Sequence, residues 1–206
     1  RRRREPLWVI LAVAAATLWA FRSQDLRYGD SDFLTRLIPR EVKSVGANIA
    51  YEEILDCALH CRAFHYLNLL FGLTIIEVFN LLGIAATLVG LAIVWPRWRR
   101  RAGLPAGLVL LIWFTSGWSH VFFGHVEYYT SVAVVLMIYA VLAIDHIERD
   151  DGPPFWVCSF VAGLAVCFHM LAGWIWPTMG VLLWHDWRAR GRSPIRQLAL
   201  GGLTFL

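Results

Sequence analysis

The sequence predicts an all-α membrane protein, a multi-pass helical bundle, and three observations predict it. Of the 206 residues, 58% are hydrophobic and 11 are Trp, with a mean hydropathy of +0.56. A soluble domain has no use for that much apolar surface. The apolar residues come in long runs; the first, Leu7 to Phe21, holds no charge in fifteen residues. The basic residues are concentrated, with twelve of the nineteen in Arg1 to Arg4, Arg97 to Arg101 and Arg188 to Arg196. Each cluster abuts an apolar segment, so it reads as a topology signal, and no nucleic-acid partner is expected.

A helix crosses the ~30 Å hydrocarbon core with about 20 apolar residues. Span 1 is expected at 6–22, span 2 at about 73–95, span 3 at 104–122 and span 4 at 127–145. Span 1 is followed by Arg22-Ser-Gln-Asp25 and no small-residue cleavage site, which favours a retained anchor over a signal peptide. Residues 155–184 are a single apolar stretch of thirty. As one helix they would extend about 45 Å, too long for one crossing. One crossing would also carry the Arg188 to Arg196 cluster to the wrong side. A hairpin of two short segments turning near His169 to Gly173 solves both problems. A seventh span begins near 197 and is cut off. The chain starts at Arg1 rather than Met and stops inside the apolar run 198–206, so residues 1–206 are expected to be the N-terminal part of a longer transmembrane module.

Lys/Arg density then places the N-terminus, 96–103 and 185–196 in the cytoplasm. The 146–154 turn is inside by parity alone, because it carries Asp150 and Asp151. Residues 23–72 form an outer loop. Within it, Ala50 to Leu70 mixes apolar residues with Glu52, Glu53, Asp56, His60, Arg62 and His65, the pattern of one or two juxtamembrane helices. Tryptophans near the inferred span ends make an ordinary interfacial belt.

This folding gathers ionisable groups on the outer face: Asp30 and Asp32 just after span 1, His120, His125 and Glu127 between spans 3 and 4, and His169 at the hairpin tip. Such groups at membrane depth are expensive and functional suspects by default. Each also has an ordinary reading: loop charges for the aspartates, turn caps for His120 and His125, core filling for His169. Glu77 and Asn80, inside span 2, read as groups that tie helices together. Four cysteines give no disulfide framework, and Cys57, Cys61 and His65 at i, i+4, i+8 spacing lack the fourth ligand of a structural zinc site.

At these residues the chain resembles the GT-C superfamily of integral-membrane glycosyltransferases, near the bacterial branch of the dolichyl-phosphate-mannose protein mannosyltransferase type. Gly29-Asp30-Ser-Asp32 is similar to the acidic motif of the first outer loop. Glu53-Ile-Leu-Asp-Cys-Ala-Leu-His60 resembles an E-P-L…L-H block, with Ile54 where Pro is common. Phe123-Gly-His-Val-Glu127-Tyr-Tyr resembles an F-G-Y-V-E-x-Y block, with His125 in place of Tyr. Phe168-His-Met-Leu-Ala-Gly-Trp-Ile-Trp-Pro177 resembles a later F-H…P block. The resemblance implies a polyprenyl-phosphate-linked sugar donor, a lipid, glycan or protein acceptor, and chemistry at the outer face of a bacterial or archaeal cytoplasmic membrane. It implies Asp30 as general base, Asp32 as the second candidate, and Glu53, His60, His125, Glu127 and His169 as pocket residues. Donor phosphate would meet Arg27, Arg36, Arg40 or Arg62. Some relatives hold a divalent metal at the acidic pair and others do not, so no cofactor is firmly implied at Asp30 and Asp32. Two other classes compete with this reading: a transporter, which lacks its usual repeat here, and a non-catalytic membrane subunit.

Overall fold

The structure, a computed structural model, describes residues 6–22, 31–41, 54–102, 126 and 128–203. Among these, every regular element is helical. Helix α1, Leu7–Ala20, buries Ile10, Ala14 and Leu18, one side at i, i+4, i+8 spacing. That side lies on α4, where Leu18 meets Ile84. Helix α2, Ser31–Glu41, is amphipathic: Leu34 and Ile38 are buried while Asp32, Phe33 and Arg36 face out. Helix α3, Ile54–Phe71, buries Asp56, Cys57 and His60 near its start and exposes Leu69, Leu70 and Phe71 at its end. It stops at Gly72, whose φ of +68° suits only glycine without strain.

Helix α4, Ile75–Ala102, opens on a capping box. The backbone N–H and the hydroxyl of Thr74 both donate to Glu77 Oε2, at 2.7 and 2.8 Å, and Glu77 N–H donates back to Thr74 Oγ1 at 3.3 Å. This corrects the expected role of Glu77, which caps its own helix instead of tying two together. Asn80 likewise donates to Ile76 O within α4. Pro96 removes one rung near the far end of the helix, and the Arg97 side chain donates to the neighbouring Ile93 carbonyl at 2.7 Å. The expected third span, 104–122, lies outside the described residues.

Helix α5, Tyr129–Glu148, is the centre of the bundle and packs most extensively on α4 and α6. Gly90 permits the approach to α4: a Cβ there would sit 2.8 Å from Val134 Cγ1. Helix α6, Phe155–Phe168, ends at His169. A 3-10 turn, Met170–Ile175, leads into α7, Trp176–Arg190, with Pro177 in its first turn, where no N–H is needed. Phe155 and Cys158 at the start of α6 share a core with Met179 and Leu182 of α7 and Tyr139 of α5. The two arms therefore return on each other, and the expected hairpin is present with its turn at His169–Ile175. Gly191 at φ +61° closes α7, and α8, Pro194–Leu203, comes after it.

Two helices are long and apolar enough to cross a membrane, Ile75–Arg99 with 25 residues and Tyr129–Glu148 with 20. Leu7–Ala20 and Phe155–Phe168 are apolar but, at 14 residues each, shorter.

Candidate functional site

The described candidates collect at the end of the bundle where α5 begins. Leu34 and Ile38 of α2 share a core with Cys57 of α3, Ile75 and Phe79 of α4, and Val126 and Tyr128 ahead of α5. Arg22, just beyond α1, comes within electrostatic reach of Glu77 at the start of α4. The amphipathic helix after α1 is thus folded over the starts of α4 and α5 by its own apolar stripe.

Asp32 lies in the first turn of α2, its side chain 62% exposed. One Arg36 guanidinium nitrogen bridges both its carboxylate oxygens, at 2.9 Å to Oδ1 and 2.8 Å to Oδ2. Both side chains of this pair are exposed, so it is a surface ion pair of small energetic weight. Asp30, Glu53, His125 and Glu127 lie outside the described residues, as do His120 and Arg27.

His60 is buried, its ring stacked on that of Phe79 at 4.0 Å and tilted by 59° against that of Tyr128 at 5.6 Å. Its Nδ1 is 2.9 Å from Asp56 O and 3.2 Å from Asp56 Oδ1. Both neighbours are acceptors, so Nδ1 carries the proton. Sequence reasoning does not single out Asp56 as a site residue. It is fully buried, its Oδ1 accepts from Ser131 Oγ at 2.8 Å, and its Oδ2 has no hydrogen-bond partner among the described residues. The signal is nonetheless in the chain: an acid one turn before a histidine on the same face of an apolar helix.

His169 is also buried and stacks on Tyr129 at 5.5 Å between centroids. Its Nδ1 accepts from Leu171 N–H at 3.2 Å, capping the 3-10 turn. His60 and His169 thus approach opposite neighbours of one dipeptide, Tyr128 and Tyr129, from α3 and from the hairpin tip. Cys57 and Cys61 form no disulfide, their sulfurs 4.0 Å apart, while His65 is exposed and meets the Tyr66 ring edge-on.

The opposite end holds Arg97, Arg149, Arg190 and Arg192. Arg97 pairs with Asp145 at 3.0 Å. Arg190 donates to the carbonyls of His146 and Arg149, at 2.5 and 2.7 Å, and to Asp186 Oδ1 at 3.2 Å. Arg149 pairs with Asp151 at 2.7 Å, and that hydrogen-bonded carboxylate raises the guanidinium further above its ordinary value. Arg190 of the 188–196 cluster thus holds two backbone carbonyls of the acidic turn, while Asp151 pairs within the turn itself. A scan of the chain against protein-family models, curated proteins and solved structures finds no match.

Proposed function

We propose that this chain is part of a membrane-embedded glycosyltransferase that moves a sugar from a polyprenyl-phosphate donor to an acceptor hydroxyl. The observation that carries this reading is convergence. His60 on α3, Tyr128 and Tyr129 before and at the start of α5, and His169 at the hairpin tip come from three separated segments and meet at one end of the bundle, and α2, which carries the exposed Asp32, packs on that same end. They fall in the same blocks that carry the resemblance. Charge placement supports setting that end outside: the arginine clusters of 97–101 and 188–196 lie at the other end. The two long apolar helices support a bilayer setting, with the shorter ones completing a multi-pass bundle.

In the proposed reaction the acceptor O–H gives its proton to a carboxylate, Asp30 first and Asp32 second, as oxygen attacks the anomeric carbon. The bond from that carbon to the phosphate oxygen breaks, and polyprenyl phosphate leaves with the electron pair. His60 and His169 line the approach. No step is assigned to a metal ion.

The test is transfer of labelled sugar from polyprenyl-phosphate donors by the full-length protein in proteoliposomes. Asp30→Ala should lower the rate at least about 100-fold with membrane insertion unchanged, the scale of a lost general base. Full activity in both Asp30→Ala and Asp32→Ala would overturn the mechanism. Flux of substrate without a covalent product would replace the reading with a transporter.

A further inference from the structure

A second cluster lies at the arginine end, away from the proposed reaction. His146 is in the last turn of α5, and His185 and Asp186 are consecutive in the last part of α7. One ligand atom from each lies within 4.8 Å of the others. His146 and Asp186 are fully buried and His185 is half-buried.

The hydrogen bonds around these groups leave a gap of defined chemistry. His146 Nδ1 is 2.7 Å from Pro153 O, a pure acceptor, so Nδ1 carries a proton and Nε2 is turned inward. That Nε2 is 3.0 Å from Asp186 Oδ1 yet makes no hydrogen bond. His185 Nδ1 and Asp186 Oδ2 are also buried without a hydrogen-bond partner. Among the described residues, three of the seven buried side-chain N and O atoms left without a hydrogen bond thus belong to three residues that face one another. Buried polar atoms without a hydrogen bond are costly, and three that face one another mark a place for a shared ligand.

We propose that His146, His185 and Asp186 bind one divalent transition-metal ion of the zinc class. Two imidazole nitrogens and a carboxylate suit such an ion, and three protein ligands leave a fourth position for water. Neighbouring ligand atoms in a tetrahedral zinc site lie about 3.3 Å apart, close to the Nε2–Oδ1 separation. The outer partners are in place. Pro153 O orients His146, and Arg190 holds Asp186 Oδ1, while its other nitrogen is tied to the His146 and Arg149 carbonyls. Arg192 Nη1 stands 3.6 Å from Asp186 Oδ2 on a side chain 41% exposed, able to turn into solvent as the ion enters. Asp145, the nearest further acid on α5, is neutralised by Arg97. The ion would join the end of α5 to the end of α7.

The full chain, purified in lipid nanodiscs and stripped with a chelator, is titrated with Zn²⁺ and Co²⁺. The expected result is one ion per chain, a visible Co²⁺ absorption band of four-coordinate type and a rise in Tm on Zn²⁺ addition. His185→Ala and the volume-conserving His185→Gln should each weaken Zn²⁺ binding at least tenfold and remove the rise in Tm. The double variant Cys57→Ser, Cys61→Ser should bind as the parent does. Absence of stoichiometric binding, unchanged affinity in both His185 variants, or loss of binding in the cysteine variant overturns the proposal.

Discussion

Asp56 has no exposed surface, and its two nearest partners are on different footings. His60 is one turn along the same helix, so that contact forms whenever α3 forms. Ser131 is 75 residues away, so that bond forms only when α3 docks on α5. Asp56 therefore reports on docking. Asp56→Ala should cost about 2 kcal/mol and Ser131→Ala about 1, within the range for buried hydrogen-bonded groups. A double-mutant cycle followed by denaturant unfolding should show the two effects to be non-additive. Simple additivity would show that the bond adds nothing to docking. At this scale the sequence is partly legible. His60 and His169 stand out for their chemistry, and both are buried, beside Tyr128 and Tyr129. Asp56 hides among several charges in an amphipathic stretch, because burial of a carboxylate depends on a partner helix that local spacing does not reveal.

The most legible element is the thirty-residue apolar stretch, because its length alone conflicts with a single crossing. Its break falls at His169, where the backbone turns extended and the imidazole caps the 3-10 turn. Glu77 misleads because its place in an apolar run suggests burial between helices. The Thr74-Ile-Ile-Glu77 spacing of a capping box is the stronger signal. Helix pairing itself is not legible, since apolar helices carry little directional pattern, and small residues settle it. Gly90 is the clearest case. Gly90→Leu should separate α4 from α5 and lower stability by about 1–3 kcal/mol, the usual cost of overpacking. Thermal unfolding of the purified protein measures it, and Val134→Ala in the same background should recover part of the loss.

For the molecule as a whole, the charge pattern is readable and the layout of its two ends follows it. Arg97, Arg149, Arg190 and Arg192 lie at one end with their carboxylate partners and with His146 and His185, and His60, His169, Tyr128, Tyr129 and the amphipathic α2 lie at the other. The proposed orientation predicts a simple labelling result. With the four native cysteines replaced, Asp32→Cys in intact cells should react with a membrane-impermeant maleimide. Arg149→Cys should react only after the membrane is opened. The reverse pattern would invert the topology and move the proposed chemistry to the cytoplasm. The acidic 146–154 turn cannot be placed from sequence because its charge opposes the rule. Within it Asp151 pairs with Arg149, a local pairing that no count of charges anticipates.

The short hairpin has a consequence for traffic. At about 1.5 Å per residue, α6 rises only about 21 Å, against a hydrocarbon core of ~30 Å. On the proposed placement its tip stops below the lipid headgroups. The tip presents Trp174, 83% exposed, with Met170, Leu171 and Trp176, an apolar surface suited to acyl chains. A molecule tethered to the bilayer by a long prenyl tail could then slide to His169 within the plane of the membrane. For the proposed donor, encounter would then be a two-dimensional search, governed by its density in the leaflet and independent of its concentration in water.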